Sequence, residues 1–234
     1  MTMDSFFSLP RMWSIWCQYY GFYLNGLATT LLLSALAVLF GSVMGGVFAA
    51  GRMSRIKPIG WLCGGYITIV RSTPLIVQVM IVYYGAVSLG LRLPGAASNT
   101  SFFWGMVAVA LNSGAYMSEV VRSGIGAVDG GQMEAARAIG MKKSAAMRYV
   151  ILPQAIRNIL PALGNEFVTI IKETSVLSMC AVADVMFRAG DVASLTYRYV
   201  DAYVLAAVMY FIMVYPLSKL MAWFERRMNR SVTR

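Results

Sequence analysis

The chain has 234 residues, of which 59% are hydrophobic and 13% charged, and it carries a formal net charge of +10. That is too apolar and too sparsely charged for a water-soluble fold of this size, so the bilayer is the expected solvent. The basic excess suits either a nucleic-acid-binding surface or the cytoplasmic loops of a membrane protein, and the placement of the charges separates the two. Histidine is absent, which excludes Ser-His-Asp and Cys-His catalysis. The three cysteines, Cys17, Cys63 and Cys180, have neither disulfide-framework nor zinc-ligand spacing and read as small buried hydrophobes. Residues 1–20 mix Asp4, Pro10 and Arg11 with aromatics and do not read as a cleavable signal peptide.

A spanning helix needs about 20 mostly apolar residues. Five such stretches are expected, at 22–50, 61–89, 102–121, 161–187 and 202–224, within one domain and without internal repeats. The fold class is therefore an all-α membrane protein. Gly41, Gly45 and Gly46 in the first stretch permit close approach of another helix. Arg71 and Pro74 interrupt the second, and Pro74 predicts a kink there. In the same stretch Tyr83 and Tyr84 read as membrane-interface aromatics.

The connectors alternate in charge. Arg52, Arg55 and Lys57 follow the first stretch, whereas only Arg92 lies between the second and third. Six basic residues from Arg122 to Arg157 follow the third, against Asp129 and Glu134. Arg188 and Arg198 are matched by Asp191 and Asp201 between the fourth and fifth, and Arg226, Arg227, Arg230 and Arg234 follow the fifth. The positive-inside rule then puts the amino terminus outside and the carboxyl terminus inside, and leaves no basic stripe for nucleic acid. Five spans enclose little space, so a pathway forms most easily between two such subunits.

The connector 129–153 is patterned. Asp129 and Gln132 fit a loose capping box, so a helix is expected to start there, with Glu134 and Arg137 paired on its surface. Gly140 permits a left-handed stop, a second short helix capped by Ser144 follows, and Pro153 ends it. Two short helices joined at a glycine are expected.

Glu134, Ala135, Ala136, Gly140, Leu152 and Pro153 stand at the spacing of the signature of permeases of ATP-binding-cassette importers, with Val150 where isoleucine is usual. The segment Arg71-Ser-Thr-Pro-Leu-Ile-Val-Gln78 resembles a segment of the polar amino acid subfamily, with Ser72 in place of glycine. Asn112 to Glu119, Leu163 to Phe167 and Ile171 to Ser175 are similar to further segments of it. The resemblance covers about 66–177 and implies a type I importer permease in a bacterial inner membrane. It implies that the helix around Glu134 to Gly140 docks in a cleft on a separate ATP-binding subunit. Ala135 and Ala136 allow close approach, and Arg137, Lys142 and Lys143 supply polar contacts. It further implies a second permease subunit, identical or homologous, and an extracytoplasmic substrate-binding protein. The chain has no Gly-Lys-Ser or Gly-Lys-Thr phosphate loop, so ATP and magnesium are expected on the partner, and the chain itself is expected to be non-catalytic.

An ionisable side chain in a span costs several kcal/mol unless it faces a cavity or a partner. Glu166, Lys172, Glu173 and Asp184 fall in the fourth stretch. Asn165 and Glu166 read either as a substrate site for the ammonium or cationic side chain of an amino acid, or as a solvated interfacial pair near Pro161. Lys172 and Glu173 read as neutralising each other or pairing with neighbours, with a part in gating or structure. Arg71 reads as pathway-lining or as snorkelling to the interface, and Thr73 and Gln78 would share a pathway passing Pro74. Glu119 and Arg122 read as a structural helix-surface pair.

Overall fold

The computed structural model describes residues 8–95 and 97–229, so Asp4, Arg230 and Arg234 lie outside the described residues. The described chain is helical, with no strand in the element order. In chain order the helices are α1 (Leu9–Arg52), α2 (Lys57–Arg71), α3 (Leu75–Ser88), α4 (Ala97–Gly126), α5 (Gly130–Ala138), α6 (Lys143–Ala146), α7 (Leu152–Glu173), α8 (Val185–Thr196) and α9 (Tyr199–Asn229). A π turn at Met147–Ile151 joins α6 to α7, and a 3₁₀ helix at Thr174–Cys180 follows α7.

Helix α1 is the spine. Its first half packs with α8 and α9 through Met12, Ile15, Tyr23, Val185, Ala189, Ala202 and Met209. Its second half packs with α3, α4 and the 3₁₀ segment through Leu33, Ala37, Val79, Val109, Leu177 and Val182. Adjacent residues of α7 serve the two cores separately, Ile171 the first and Ile170 the second. Because lipid supplies no hydrophobic drive between helices, close contact of small residues has to provide cohesion. A Cβ on Gly41 would stand 2.6 Å from Ser113 Oγ, and one on Gly45 3.0 Å from Ser118 N. Gly46 faces open space, so two of the three glycines expected at a close contact lie in one. Gly26 is tightest against backbone, at 2.8 Å from the Asp184 carbonyl oxygen.

The helices depart from the expected spans where backbone hydrogen bonding allows it. Helix α1 begins at Leu9 rather than 22 and continues to Arg52. The stretch 61–89 is two helices, α2 and α3, bent by 110°. The bend falls where Pro74, lacking an N–H, becomes the N-cap of α3 with extended ψ of 139°. The stretch 161–187 is not one helix. Helix α7 ends at Glu173, the 3₁₀ segment ends on left-handed Ala181 (φ 57°), and α8 starts at Val185. Asp184 is therefore a helix cap: its Oδ1 accepts from Phe187 N at 2.8 Å, and Thr30 Oγ1 accepts from Val185 N at 3.2 Å. Tyr210 Oη completes the site, donating to Asp184 Oδ2 at 3.4 Å.

Two expectations for the connector 129–153 are corrected. Ser144 is not a cap; α6 starts at Lys143 after Lys142, with no capping side chain. Pro153 does not end a helix. The chain stays helical from Lys143 through the π turn into α7, and Pro153 occupies the first turn of α7. The widened turn, in which Leu152 N–H donates to Met147 O, accommodates a proline that cannot return a bond to the carbonyl four residues back.

Among the described residues, α1 and α9 are each long and apolar enough to cross a membrane, and the bent α2–α3 pair makes a third candidate. Helix α4 is long but rich in serine, asparagine and glycine, and much of it is covered by its neighbours.

Candidate functional site

Three constellations hold the residues singled out by sequence. The first is α5 and its ends. Asp129 caps the helix, its Oδ1 accepting from Gly131 N at 2.6 Å. At the other end Met141 N donates to Ala136 O at 3.1 Å and Gly140 N to Arg137 O at 3.0 Å, while Gly140 takes φ of 88°. That double bond with a left-handed glycine is a Schellman stop, as the glycine predicts. Arg137 does not pair with Glu134; its Nη1 donates to Met141 O at 2.7 Å and braces the stop. Ala136 is buried against its own chain, whereas Glu134, Ala135, Arg137 and Gly140 are exposed. Ile139 is 80% exposed, so α5 presents an apolar tip that this chain leaves uncovered. Leu152 is half-buried and Pro153 exposed, both at the start of α7 and away from that tip in sequence.

The second constellation is the α2–α3 bend. Thr73 Oγ1 donates to Ile69 O at 2.9 Å. Gln78 Nε2 lies 2.7 Å from Val70 O, 3.0 Å from Thr73 O and 2.9 Å from Thr73 Oγ1. Buried Asn112 on α4 donates through Nδ2 to Gln78 Oε1 at 2.9 Å. Thr73 and Gln78 are thus brought together, and Asn112 anchors them. Asn112 had no assigned role from the sequence, although a buried amide within a span needs a partner. Arg71 is not in this group. Its guanidinium lies over the Tyr116 ring at 5.4 Å and 3.9 Å from Glu119 Oε1. Glu119 also binds Arg122, as expected, and Arg52, which sequence reasoning did not connect to it.

The third constellation is α7. Asn165, Thr169 and Lys172 follow one another at helical spacing, with Asn165 and Lys172 exposed and Thr169 partly so. Thr169 Oγ1 donates to Asn165 O at 3.1 Å. Glu166 and Glu173, both half-buried, share the neighbouring face at a separation of two turns. Lys172 lines a groove of about 310 Å³ with Tyr210 and Tyr215 of α9, and its charge also acts on neighbouring Glu173. Leu163 and Phe167 of α7 join the same core as Leu75 and Val79 of α3.

Of the remaining expectations, Arg188 pairs with Asp191 at 3.1 Å, whereas Asp201 pairs across the molecule with Arg11 at 3.2 Å. Tyr84 is exposed, and Tyr83 accepts a hydrogen bond from Ser101 Oγ at 3.1 Å. Only Cys180 is a buried cysteine; Cys17 is exposed and Cys63 intermediate.

Residues 37–233 match the family described as the inner membrane component of binding-protein-dependent transport systems. The chain belongs to that permease family. The permease is 37% identical to the probable glutamine ABC transporter permease protein GlnM of Bacillus subtilis (strain 168), over 93% of this chain and 98% of that protein. It is 36% identical to the arginine transport system permease protein ArtQ of the same organism, over 89% and 93% of the two chains. Among solved structures it is similar to a chain of a crystal structure of an amino acid ABC transporter with histidines. That match has a TM-score of 0.84 and 46% identity, and covers 90% of the permease and 96% of that chain. The type I importer permease fold expected from the sequence is therefore the fold of this chain, and its relatives are named as transport components rather than catalysts.

Proposed function

We propose that this permease carries a polar amino acid through a path formed with a second permease subunit, driven by separate ATP-binding subunits that dock on α5. Helix α5 is capped at one end, stopped by Gly140 at the other, and leaves Ala135 and Ile139 exposed one turn apart. This rigid, uncovered apolar tip on a polar connector is the observation that carries the reading. Glu134, Ala135, Arg137 and Gly140 meet the partner, buried Ala136 seats the docking helix on its own chain, and Leu152 and Pro153 open α7 beyond it. Displacement of α5 then passes across the Gly140 joint to α6, from which the π turn and α7 run on without a break to Asn165 and Glu166. ATP and magnesium belong to the partner, and this chain supplies no phosphate loop.

The chain passes the inner membrane five times, through α1, the bent α2–α3 pair, α4, α7 and α9, with the amino terminus outside and α5 in the cytosol. Basic residues Arg52, Arg55, Lys57, Lys142, Lys143, Arg226 and Arg227 then share the inner face, as the positive-inside rule requires. Asn165, Glu166, Thr169, Thr73 and Gln78 line the path, with Glu166 drawing the substrate's cationic group. An extracytoplasmic binding protein delivers the substrate. The amino acid class is supported by the names of the relatives, which include glutamine and arginine permeases.

Purification from the native membrane followed by mass spectrometry tests this directly. An ATP-binding subunit is expected to co-purify, and the assembled complex is expected to increase ATP hydrolysis on addition of a polar amino acid with its binding protein. A pure permease retaining uptake in vesicles devoid of ATP would overturn the proposal.

A further inference from the structure

Glu119 receives more positive charge than it can neutralise. Its Oε2 accepts from Arg122 Nε and Nη2 at 2.9 and 2.7 Å, Arg52 holds its Oε1, and Arg71 stands 3.9 Å from the same oxygen. One carboxylate among three guanidinium groups leaves an excess of two positive charges. Among the described residues, no second carboxylate lies within ion-pair distance of these arginines. Each is more than a third exposed, whereas the Glu119 side chain is 17% exposed, so the arginines are more open to a ligand than the acid they surround. Arg52 and Arg71, with the hydroxyl residues Thr68 and Ser72, Tyr116 and Glu119 itself, line an open cleft of about 350 Å³. Guanidinium forks with hydroxyl donors are chemistry for a tetrahedral oxyanion.

The outer face of α2 identifies the source of that anion. Trp61, Leu62 and Ile69 are 78%, 76% and 66% exposed, and this chain covers none of them. Ile69 directly follows Thr68 of the cleft wall, and Arg55 and Lys57 add charge at the start of α2. A free phosphate has no use for an adjoining apolar face; an amphiphile with a charged head does. We propose that the cleft between the ends of α1 and α2 and the facing turn of α4 binds the phosphate of an anionic phospholipid, whose chains lie along α2. The site rests on membership of a membrane permease family and is independent of the amino acid substrate and of the orientation proposed above.

The test is native mass spectrometry of the full chain, in the assembly in which it is extracted, with equal phosphatidylglycerol and phosphatidylcholine in the detergent. The wild type is expected to retain phosphatidylglycerol preferentially. Arg52→Gln and Arg71→Gln are each expected to lower that retention about fivefold, the factor for one basic residue near an anionic headgroup. Arg52→Lys is expected to keep it. Glu119→Gln separates the proposal from a purely structural hub: removing the competing carboxylate should raise phosphatidylglycerol retention, whereas a hub without its centre should lose it. A loss in Glu119→Gln at unchanged melting temperature, or equal retention of the two lipids by the wild type, overturns the site. Millimolar inorganic phosphate should leave the lipid bound; displacement would assign the cleft to free anions and overturn the lipid reading. Recovery of the chain in the membrane fraction reads the permease assignment separately.

Discussion

Gly26 has no side chain because the backbone of another element occupies that space. A Cβ there would lie 2.8 Å from the Asp184 carbonyl oxygen and 2.9 Å from Val185 Cα, and neither atom can swing aside as a flexible side chain can. Gly26→Val is therefore expected to lower the melting temperature in detergent, with an overpacking cost of about 1–3 kcal/mol. The same substitution at Gly46, which faces open space, is expected to leave it unchanged within about 0.5 kcal/mol. Charge is the other residue-scale determinant. Glu166 sits half-buried beside exposed Asn165 on a helix whose neighbours are apolar. Under the proposed function, Glu166→Gln keeps shape and hydrogen-bonding capacity but removes the charge. Uptake of a cationic amino acid should then fall about tenfold more than uptake of a neutral one, the worth of one hydrogen bond to a charged group. Equal losses in a competition assay would remove Glu166 from substrate selection.

At the scale of elements, the bend between α2 and α3 shows how a sequence signal becomes geometry. Pro74 signals a break, but it does not set the 110° angle. That angle is held by Gln78, whose amide gathers Val70 O and both oxygens of Thr73 while Asn112 grips its other end. Helix α5 is the complementary case, since its start and stop were readable from Asp129 and Gly140, although Asp129 caps through Gly131 N and Gln132 turns to Gln154 instead of closing a capping box. Ala135→Trp adds bulk only to an exposed face, so the melting temperature should not move. Recovery of the ATP-binding subunit on purification should fall at least tenfold, the scale of a blocked interface contact. Gly140→Val acts differently, because φ of 88° is the left-handed region and costs a β-branched residue about 1–2 kcal/mol. Thermal unfolding should register that cost, and coupled ATP hydrolysis should drop with it.

At the scale of the molecule, α1 at 44 residues is about 66 Å long, roughly twice the hydrocarbon thickness. Its two halves serve two different cores, so it crosses the fold at a tilt or extends beyond the bilayer. The proposed topology has a direct reading in whole cells. In a cysteine-free background, Arg92→Cys should react with an impermeant maleimide from outside, and Lys143→Cys only after the cells are opened. The reverse pattern would invert the orientation.

Composition alone determined that the chain is apolar enough for a bilayer, because hydropathy is a sum over residues and needs no partners, and the length of the apolar stretches determined that it is helical. Local backbone rules determined the start and stop of α5, since Asp129 and Gly140 act within one turn of themselves. Tertiary structure decided what depends on residues far apart in sequence: that Arg71 turns to Glu119 rather than to Gln78, that Arg52 joins it, and that Asp184 caps a helix packed on Thr30. It also decided that Pro153 opens α7 rather than ending a helix, because the π turn before it had already made room. Partner choice is a contest among distant groups for the same donors and acceptors, and only the folded packing determines which of them meet.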